Sequence, residues 1–105
     1  MNITEVDMVA HPKHYEGSTS LECIDTMKLV FGDVAVCYFC LCNAFKYLWR
    51  YKHKNGEEDI KKARWYVDYV SSMPTEEYSE GLEIEKLHCR VEHLLCAIEH
   101  QENVR

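Results

Sequence analysis

Apolar residues recur every three or four positions over four segments of this chain, and no segment shows the alternation typical of a strand. One segment predicts a helix from about Val34 to Lys54, and the next predicts a helix from Glu57 that Pro74 stops. Because "NG" at 55–56 leaves only a short connection, we expect these helices to form an antiparallel hairpin. The inward residues are Cys37, Cys40, Leu41, Ala44, Leu48 and Tyr51 on the first helix, and Ile60, Ala63, Val67 and Val70 on the second.

A short helix is predicted before the hairpin. Thr19 and Glu22 have the spacing of a capping box, which predicts a helix from about Ser20 to Phe31. At 105 residues the chain has the length of one domain. We therefore expect a single helical domain over residues 1–105. Its parts are an irregular N-terminal arm (1–19), a helical core (20–73) and a C-terminal helix (75–103).

The C-terminal helix has a heptad-like pattern. Thr75 is predicted to cap it, Gly81 is a weak point within it, and it extends to about Glu102. Its apolar residues alternate steps of three and four, and they are Ile84, Leu87, Val91, Leu94 and Ile98. This seam suits packing on the hairpin or pairing with another subunit. The fold prediction is all-α: an antiparallel hairpin, a short N-terminal helix and a long C-terminal helix.

Composition and charge limit the partners. Hydrophobic residues make up 47% of the chain, which is enough for a small core only, so we expect a homo-oligomer. The formal charge of -6 argues against general nucleic-acid binding, although it allows a local anion site. No apolar run approaches the roughly 18 residues of a membrane span, and the first residues lack the pattern of a secretory signal. We expect a cytoplasmic protein that does not bind membranes.

Basic and aromatic residues concentrate between Asn43 and Val70. Asn43, Lys46 and Arg50 share one helix face, which Tyr47 and Trp49 flank. On the next helix a second row also steps by three or four, and it consists of Asp59, Lys62, Tyr66 and Tyr69. An antiparallel hairpin would bring the two rows together as a groove. Arginine and lysine suit phosphate, and aromatic rings stack on bases, so the groove favours a nucleotide.

The same residues also fit an ordinary solvated surface. Lysine and arginine stems often cover aromatic rings while their charges stay in water. The acidic residues 57–59 could pair with Lys61, Lys62 and Arg64 at helical spacing. Spacing alone does not separate a binding groove from such a surface.

"HPKHY" at 11–15 is a second candidate for ligand binding. Pro12 biases His11 toward an extended backbone. His11 and His14 could donate hydrogen bonds to phosphate, and Tyr15 could stack or donate. Two histidines in a polar arm are equally compatible with simple solvation.

Two groups of residues have possible metal-ligand spacing. They are Cys37, Cys40 and Cys42, and Cys89, His93, Cys96 and His100. Because they lie within predicted helices rather than on turns, they do not indicate a four-ligand zinc site, and we expect no metal and no cofactor. The six cysteines should remain thiols in the cytosol. A P-loop and the G-x-G-x-x-G and G-x-S-x-G motifs are absent, and no histidine lies near Ser71 or Ser72 in the sequence.

Three motifs together resemble a known family. "HPKHY", "LECID" and "NAFKYLWRYKHKNGEEDIKKARWYVDYV" occur in order. They are similar to the small phage proteins grouped as domain of unknown function 3310, over about residues 11–70. One member of that family is a nucleotide kinase of a lytic phage, which phosphorylates deoxynucleoside monophosphates without a P-loop, whereas most members have no assigned activity. The resemblance implies a phage protein and a nucleotide ligand.

The resemblance also transfers residues to this sequence. Those that match its pattern are His11, Pro12, His14, Tyr15, Glu22, Asp25, Asn43, Lys46, Tyr47, Trp49, Arg50, Asp59, Lys62, Trp65 and Tyr66. Cys42 departs from the pattern because the family usually has glycine there, and its side chain could narrow a close helix contact or a ligand approach. The C-terminal helix lies outside the resemblance.

Three functions are compatible with these features. The first is binding and sequestration of a nucleotide, with a cyclic nucleotide signal of host immunity as a plausible target, which would make the protein an anti-defence factor. The second is a nucleoside monophosphate kinase without a P-loop, in which Lys46, Arg50 and Lys62 would hold phosphates. The third is a helical module that binds another protein. The sequence leaves open whether the protein is an enzyme.

Overall fold

The structure is a computed structural model that describes the backbone of residues 19–103 and the side chains of residues 23–103. Across this span the chain is helical and contains no strand, which confirms the all-α prediction. The helices are α1 (Thr19–Phe31), α2 (Asp33–Arg50), α3 (Glu57–Ser71) and α4 (Gly81–Glu102), with short 3-10 helices at Tyr51–His53 and Thr75–Glu77. In the part described, no helix combines the length and apolar character needed to cross a membrane.

The chain divides into two compact units, residues 1–36 and residues 37–105. In the first unit, α1 ends where Gly32 adopts a positive φ of 89°, and the Gly32 N–H donates to the Lys28 carbonyl at 3.0 Å. Ile24 and Val36 are its buried side chains among those described. The predicted helix from Ser20 to Phe31 is therefore confirmed to within one residue.

The second unit contains most of α2 together with α3 and α4. Every residue of the two predicted inward stripes is buried, from Cys37 to Tyr51 on the first and from Ile60 to Val70 on the second. Met73 adds a buried side chain after α3. The 3.6-residue period therefore identified the core faces of both helices correctly, because apolar burial is what stabilises such short helices.

The connection between α2 and α3 is tighter than predicted. The α-helix ends at Arg50, and the Tyr51–His53 turn replaces the predicted last turn to Lys54. Gly56 then adopts a φ of 55°, and its N–H donates to the Tyr51 carbonyl at 2.8 Å. A positive φ is strained for residues with a Cβ, so glycine is favoured at the point where the chain turns into α3.

The start of α4 also differs from the prediction. Thr75 does not cap it: its hydroxyl donates to the Glu85 carboxylate at 3.1 Å, and residues 75–77 form a separate 3-10 turn. The helix begins at Gly81, where a Cβ would lie 1.9 Å from the Thr75 carbonyl oxygen. Gly81 is therefore the point of closest approach between the turn and α4, rather than a weak point inside a longer helix.

We expect Gly81→Ala to lower the free energy of unfolding by about 1–3 kcal/mol, the usual cost of forcing extra atoms into a packed site. The added methyl would meet backbone rather than a flexible side chain, so the turn or the first residues of α4 must shift. Urea unfolding followed by circular dichroism measures the change. Leu82→Ala is the matched control because this neighbouring side chain is exposed. Equal stability of the two variants would contradict the close approach.

The buried face of α4 follows the predicted seam only in part. Of the seam residues, Ile84 is buried, Leu94 is exposed, and Leu87, Val91 and Ile98 are half-buried. Leu95, outside the seam, is also buried. The side of α4 that packs on α3 also carries polar residues, namely His88, Glu92 and Glu99, whose side chains contact α3. Polar contacts thus occupy positions that a purely apolar pattern does not identify.

Two tyrosines connect the ends of α4 to α2 and to the turn after it. The Tyr38 hydroxyl donates to Glu83 near the start of α4, and the Tyr51 hydroxyl donates to Glu102 at its end at 3.1 Å. The hydrogen bond to Glu83, together with burial and the nearby negative charge, raises the pKa of Tyr38 to about 12. Both tyrosines therefore remain protonated donors at neutral pH, and both bonds fix α4 beside α2.

Candidate functional site

Three cations surround the ring of Tyr47. Lys46 Nζ lies 4.7 Å from the ring centroid, Arg50 Cζ lies 4.8 Å from it, and Lys62 Nζ lies 5.6 Å from it. Each distance is within the range of a cation–π contact, which contributes only about 0.5–1 kcal/mol at an exposed site. We call these four residues the cation–tyrosine cluster. Because the three positive charges also repel one another, an anion bound among them would be favourable.

An aromatic wall continues from this cluster. Tyr66 stacks on Tyr47 with centroids 6.0 Å apart and planes inclined by 15°. Trp65 meets Tyr66 edge-on at 5.0 Å and Tyr69 at 5.4 Å. Tyr66 is buried, whereas Trp65 is 39% exposed. The wall therefore presents an indole to solvent next to a group of cations.

Asp59 is a buried carboxylate that holds Arg50 in place. Arg50 Nε and Nη2 donate to its two oxygens at 3.3 and 3.4 Å. The Asn55 backbone N–H and side-chain amide donate to the same oxygens at 3.2 and 3.4 Å. Burial alone would raise the pKa of Asp59, but the hydrogen bonds from Arg50 and Asn55 outweigh it and lower this pKa below its ordinary value. Asp59 is thus a fixed anion at neutral pH.

The two lysines are the more available cations of the cluster. Arg50 uses two of its nitrogens on Asp59, so its guanidinium has a set orientation. Lys62 pairs with Glu58 at 3.6 Å across one helical turn, but both side chains are exposed, and such pairs contribute little. Lys46 has no carboxylate partner among the side chains of residues 23–103. An incoming phosphate would meet Lys46 and Lys62 first.

The structure brings together seven of the sequence-predicted site residues. They are Lys46, Tyr47, Arg50, Asp59, Lys62, Trp65 and Tyr66. Asn43 lies half-buried on α2 one turn before Lys46 and Tyr47. The predicted binding residues of the N-terminal arm, His11, Pro12, His14 and Tyr15, lie outside the described residues. The predicted rows and the observed cluster therefore share Lys46, Arg50 and Lys62.

A second charged group was missed by sequence reasoning. Arg64 on α3 donates to Glu99 at 2.7 and 3.1 Å, to Glu92 at 3.1 Å and to Asp68 at 3.1 Å. A second nitrogen of Arg64, Nη2, lies 2.9 Å from a Glu92 carboxylate oxygen, so the guanidinium bridges α3 and α4. The hydrogen bonds to Glu99 above all raise the pKa of Arg64. The expected pairings of residues 57 and 58 with Lys61 and Lys62 do occur, whereas Arg64 crosses to α4 instead.

A cavity of about 370 Å³ lies apart from the cation–tyrosine cluster, and none of that cluster's residues lines it. Its polar lining includes Lys52 and Lys54 from the turn after α2 and Glu102 at the end of α4. Tyr51, which donates to Glu102, and Glu57 also line it. Because two glutamates balance the two lysines, the cavity has a weaker attraction for anions than the cluster.

Ser71 has a histidine neighbour that the sequence did not reveal. His88 Nε2 lies 3.0 Å from the Ser71 hydroxyl and 3.1 Å from the Val67 carbonyl oxygen. In the tautomer with a proton on Nε2, this nitrogen donates to the Val67 carbonyl. The Ser71 hydroxyl itself donates to the same carbonyl oxygen at 3.4 Å. The contact between Ser71 and His88 thus links α3 to α4.

Metal-ligating residues do not converge within the described part of one chain, where no group of three or more such residues could hold an ion. Within residues 23–103 the cysteines form no disulfide. Cys37 and Cys40 are buried on the core face of α2, and Cys89 and Cys96 are exposed on α4. The Cys96 thiol donates to Glu92 at 2.9 Å, and this bond is the main reason that the pKa of Cys96 is raised.

Comparison with known proteins gives a family and no described activity. The family model for a protein of unknown function, DUF3310, matches residues 9–68. The matched range includes α1, α2 and most of α3, and with them the whole cation–tyrosine cluster, Asp59, Trp65 and Tyr66. No curated protein and no solved structure gives a significant match.

Proposed function

The chain belongs to this family of proteins of unknown function, and we propose that it binds and sequesters a nucleotide through the cation–tyrosine cluster. The observation that carries the proposal is the position of three cations around one tyrosine ring, beside an exposed tryptophan. Nucleotides combine the two groups that such a surface attracts, a phosphate and a flat base. A phage-encoded protein of this kind would remove a nucleotide, such as a cyclic immune signal, from the host cytoplasm.

Each part of the cluster has a distinct role in this proposal. Lys46 and Lys62 would contact phosphate oxygens, because their ammonium groups are exposed and can move. Arg50, which Asp59 holds in a fixed orientation, would direct its remaining nitrogen toward the same anion. Trp65 would stack on the base, since its indole is exposed at the edge of the aromatic wall.

Sequestration is favoured over turnover by the protonation state of Asp59, the carboxylate that binds Arg50 of the cluster. A general base that accepts a proton from a nucleotide hydroxyl works best with a pKa near neutrality. Asp59 has a lowered pKa and accepts four hydrogen bonds, so it is a poor base. We further propose that α2 and α3 run antiparallel and that the protein forms a homo-oligomer, in which a second copy would cover the ligand.

We expect Lys46→Ala and Lys62→Ala each to weaken nucleotide binding by about 5- to 30-fold. That range corresponds to the loss of one charge-assisted hydrogen bond, about 1–2 kcal/mol. Purified protein is incubated with mono-, tri- and cyclic nucleotides, and bound and free fractions are analysed by chromatography after heat denaturation. Isothermal titration calorimetry of each retained nucleotide then gives the dissociation constants. Raising the salt concentration should weaken binding further, because exposed ion contacts are screened.

Lys61→Ala is the matched control, because Lys61 is the neighbour of Lys62 on α3 but pairs with Glu57 at 3.4 Å outside the cluster. In a Trp49→Phe background Trp65 is the one remaining tryptophan, so quenching of its fluorescence reports base stacking. Recovery of intact nucleotide supports sequestration, and conversion of a monophosphate in the presence of ATP would support the kinase instead. Absence of both retention and turnover across the panel would leave the protein-binding module as the function.

A further inference from the structure

One row of exposed residues on α4 consists of two cysteines and two histidines. Cys89, His93, Cys96 and His100 follow one another at steps of four, three and four, so they lie on one side of the helix. Leu82 lies seven residues before Cys89, on the same side of the helix, and is 67% exposed. Charged residues normally dominate the solvent side of a surface helix. This row differs from that pattern, and its thiols and imidazoles are of the chemical types that bind metal ions.

Cys89 and His93 are arranged to share one ion. Their Sγ and Nε2 atoms are 4.0 Å apart, and both side chains are exposed. Zinc bonds cysteine sulfur at about 2.3 Å and histidine nitrogen at about 2.0–2.1 Å, so in a tetrahedral site the two atoms lie about 3.6 Å apart. Because both side chains are exposed, a small side-chain rotation closes the observed gap without a change in the helix.

The second pair in this row is less suited to the same role. The Cys96 thiol donates to Glu92 at 2.9 Å, and its sulfur lies 3.7 Å from Arg64 Nη2. Binding a metal through Cys96 would require the loss of that thiol proton and would break its hydrogen bond to Glu92. Cys89 has no such contact with a carboxylate or an arginine among the described residues. The ion site therefore centres on Cys89 and His93.

We propose that Cys89 and His93 bind zinc, or a divalent ion of the same borderline-soft class, between two copies of this chain. A structural zinc site needs four ligands in a tetrahedron, and the described part of one chain offers no group of three. A two-fold axis beside α4 would bring the same cysteine and histidine of a second copy to the ion. The completed Cys₂His₂ set would satisfy zinc, which makes each copy half of the site.

The positive charge of zinc favours its position between two copies of this chain. Each chain carries a formal charge of -6, so two copies repel each other in general. A divalent cation bound between the copies offsets this repulsion. Two thiolates neutralise one divalent ion, so zinc can lie between the copies without leaving a net charge in the contact. The bonds to the ion would hold the two copies together.

The test uses the full chain in a reducing buffer with zinc as the probe. We expect half an equivalent of zinc to bind per chain, and the mass from analytical ultracentrifugation to double on addition of zinc and to return with a chelator. Cobalt in place of zinc should give the intense visible bands of a tetrahedral site and the near-ultraviolet charge-transfer band of bound thiolate. Cys89→Ser and His93→Gln should each weaken binding at least about 100-fold, since each removes two of the four ligands.

Cys42→Ser is the matched control, because Cys42 is an exposed thiol on α2 away from this row, and it should bind zinc normally. Circular dichroism tests whether each variant is folded. We expect all three to fold, because Cys42, Cys89 and His93 are exposed. Binding of one zinc per chain with no change in mass would overturn the proposal. Zinc binding that survives both Cys89→Ser and His93→Gln, or no binding at micromolar zinc, would overturn it equally.

Discussion

Replacing Asp59 with alanine is expected to lower the free energy of unfolding by about 3–5 kcal/mol, the cost of removing one partner from a buried ion pair. Asp59 is 0% exposed, and its oxygens accept hydrogen bonds from Arg50 and from the backbone and side chain of Asn55. Alanine leaves these donors facing an apolar void. Because the Arg50 side chain is 31% exposed and can reach water after the loss, we expect the lower end of the range.

The pH dependence provides an independent readout of the same pair. The pKa of Asp59 in the folded protein is lower than its ordinary value, so folding favours the charged form. This contribution to stability is complete above about pH 5, and it is lost as the pH falls below the unfolded pKa of about 3.9 and through the folded one. The stability difference between the wild type and Asp59→Asn should therefore be largest at neutral pH and narrow below about pH 4.

Urea unfolding at several pH values, without ligand, measures both effects. Glu58→Ala is the matched control: it removes the preceding carboxylate of the same helix turn, which is exposed, and should change stability by less than about 0.5 kcal/mol. If Asp59→Ala and Glu58→Ala were equally stable, Asp59 would not be a buried structural anion. Arg50 would then have no fixed orientation in the cation–tyrosine cluster.

The contrast between Glu58 and Asp59 shows what helix periodicity can and cannot predict. Three consecutive acidic residues at the start of a helix favour the positive end of the helix dipole, and nothing in their order distinguishes the buried one. Asp59 is buried and accepts hydrogen bonds from Arg50, the last residue of α2, and from Asn55, which follows the turn at Tyr51–His53. The row that contains Lys46, Arg50 and Lys62 was predictable from spacing, whereas the ion pair inside it depended on the geometry of this turn.

The inward stripes of α2 and α3 were predictable for a different reason. Their positions are apolar, and burial of apolar surface is the dominant stabilising contribution for such helices. On α4 the same reasoning predicted a seam that begins at Ile84, and Ile84 is indeed buried. The other deeply buried residue is Leu95, which lies outside that seam, whereas the predicted Leu94 is exposed. The side of α4 that packs on α3 is polar, because Glu92 and Glu99 on that side accept hydrogen bonds from Arg64. A pattern of hydrophobic residues cannot locate a helix contact that is made by an arginine and carboxylates.

Arg64→Ala is the second large expected effect, a loss of about 2–4 kcal/mol in the free energy of unfolding. The guanidinium is 30% exposed and lies between Glu99, which is 17% exposed, and Glu92, with Asp68 on its own helix. Removing it leaves three carboxylates close together with no cation between them. Since α3 packs on α4 at this point, their repulsion acts directly on the contact between the two helices.

Lysine at the same position separates charge from geometry. Arg64→Lys retains a positive charge but replaces the planar fork with a single ammonium, which cannot serve Glu99 and Glu92 in the same way. We expect it to lose roughly half as much stability as Arg64→Ala, within the same range. Arg90→Ala is the matched control, because Arg90 is an exposed arginine of α4 with no ion pair among the described residues. It should alter stability by less than about 0.5 kcal/mol.

Acid should affect the wild type and Arg64→Ala in opposite directions. In the wild type, the hydrogen bond from Arg64 is the main cause of the lowered pKa of Glu92, so this part of the stability is lost as the pH falls below about 4.3 and through the folded pKa. In the variant, the unpaired carboxylates repel, and their protonation removes a destabilising interaction. The stability gap measured by urea unfolding should thus be widest near pH 7 and shrink toward pH 4. A gap that stayed constant with pH, or a variant as stable as Arg90→Ala, would contradict a structural role for the Arg64 network and leave apolar packing at Ile84 and Leu95 as the basis of the α3–α4 contact.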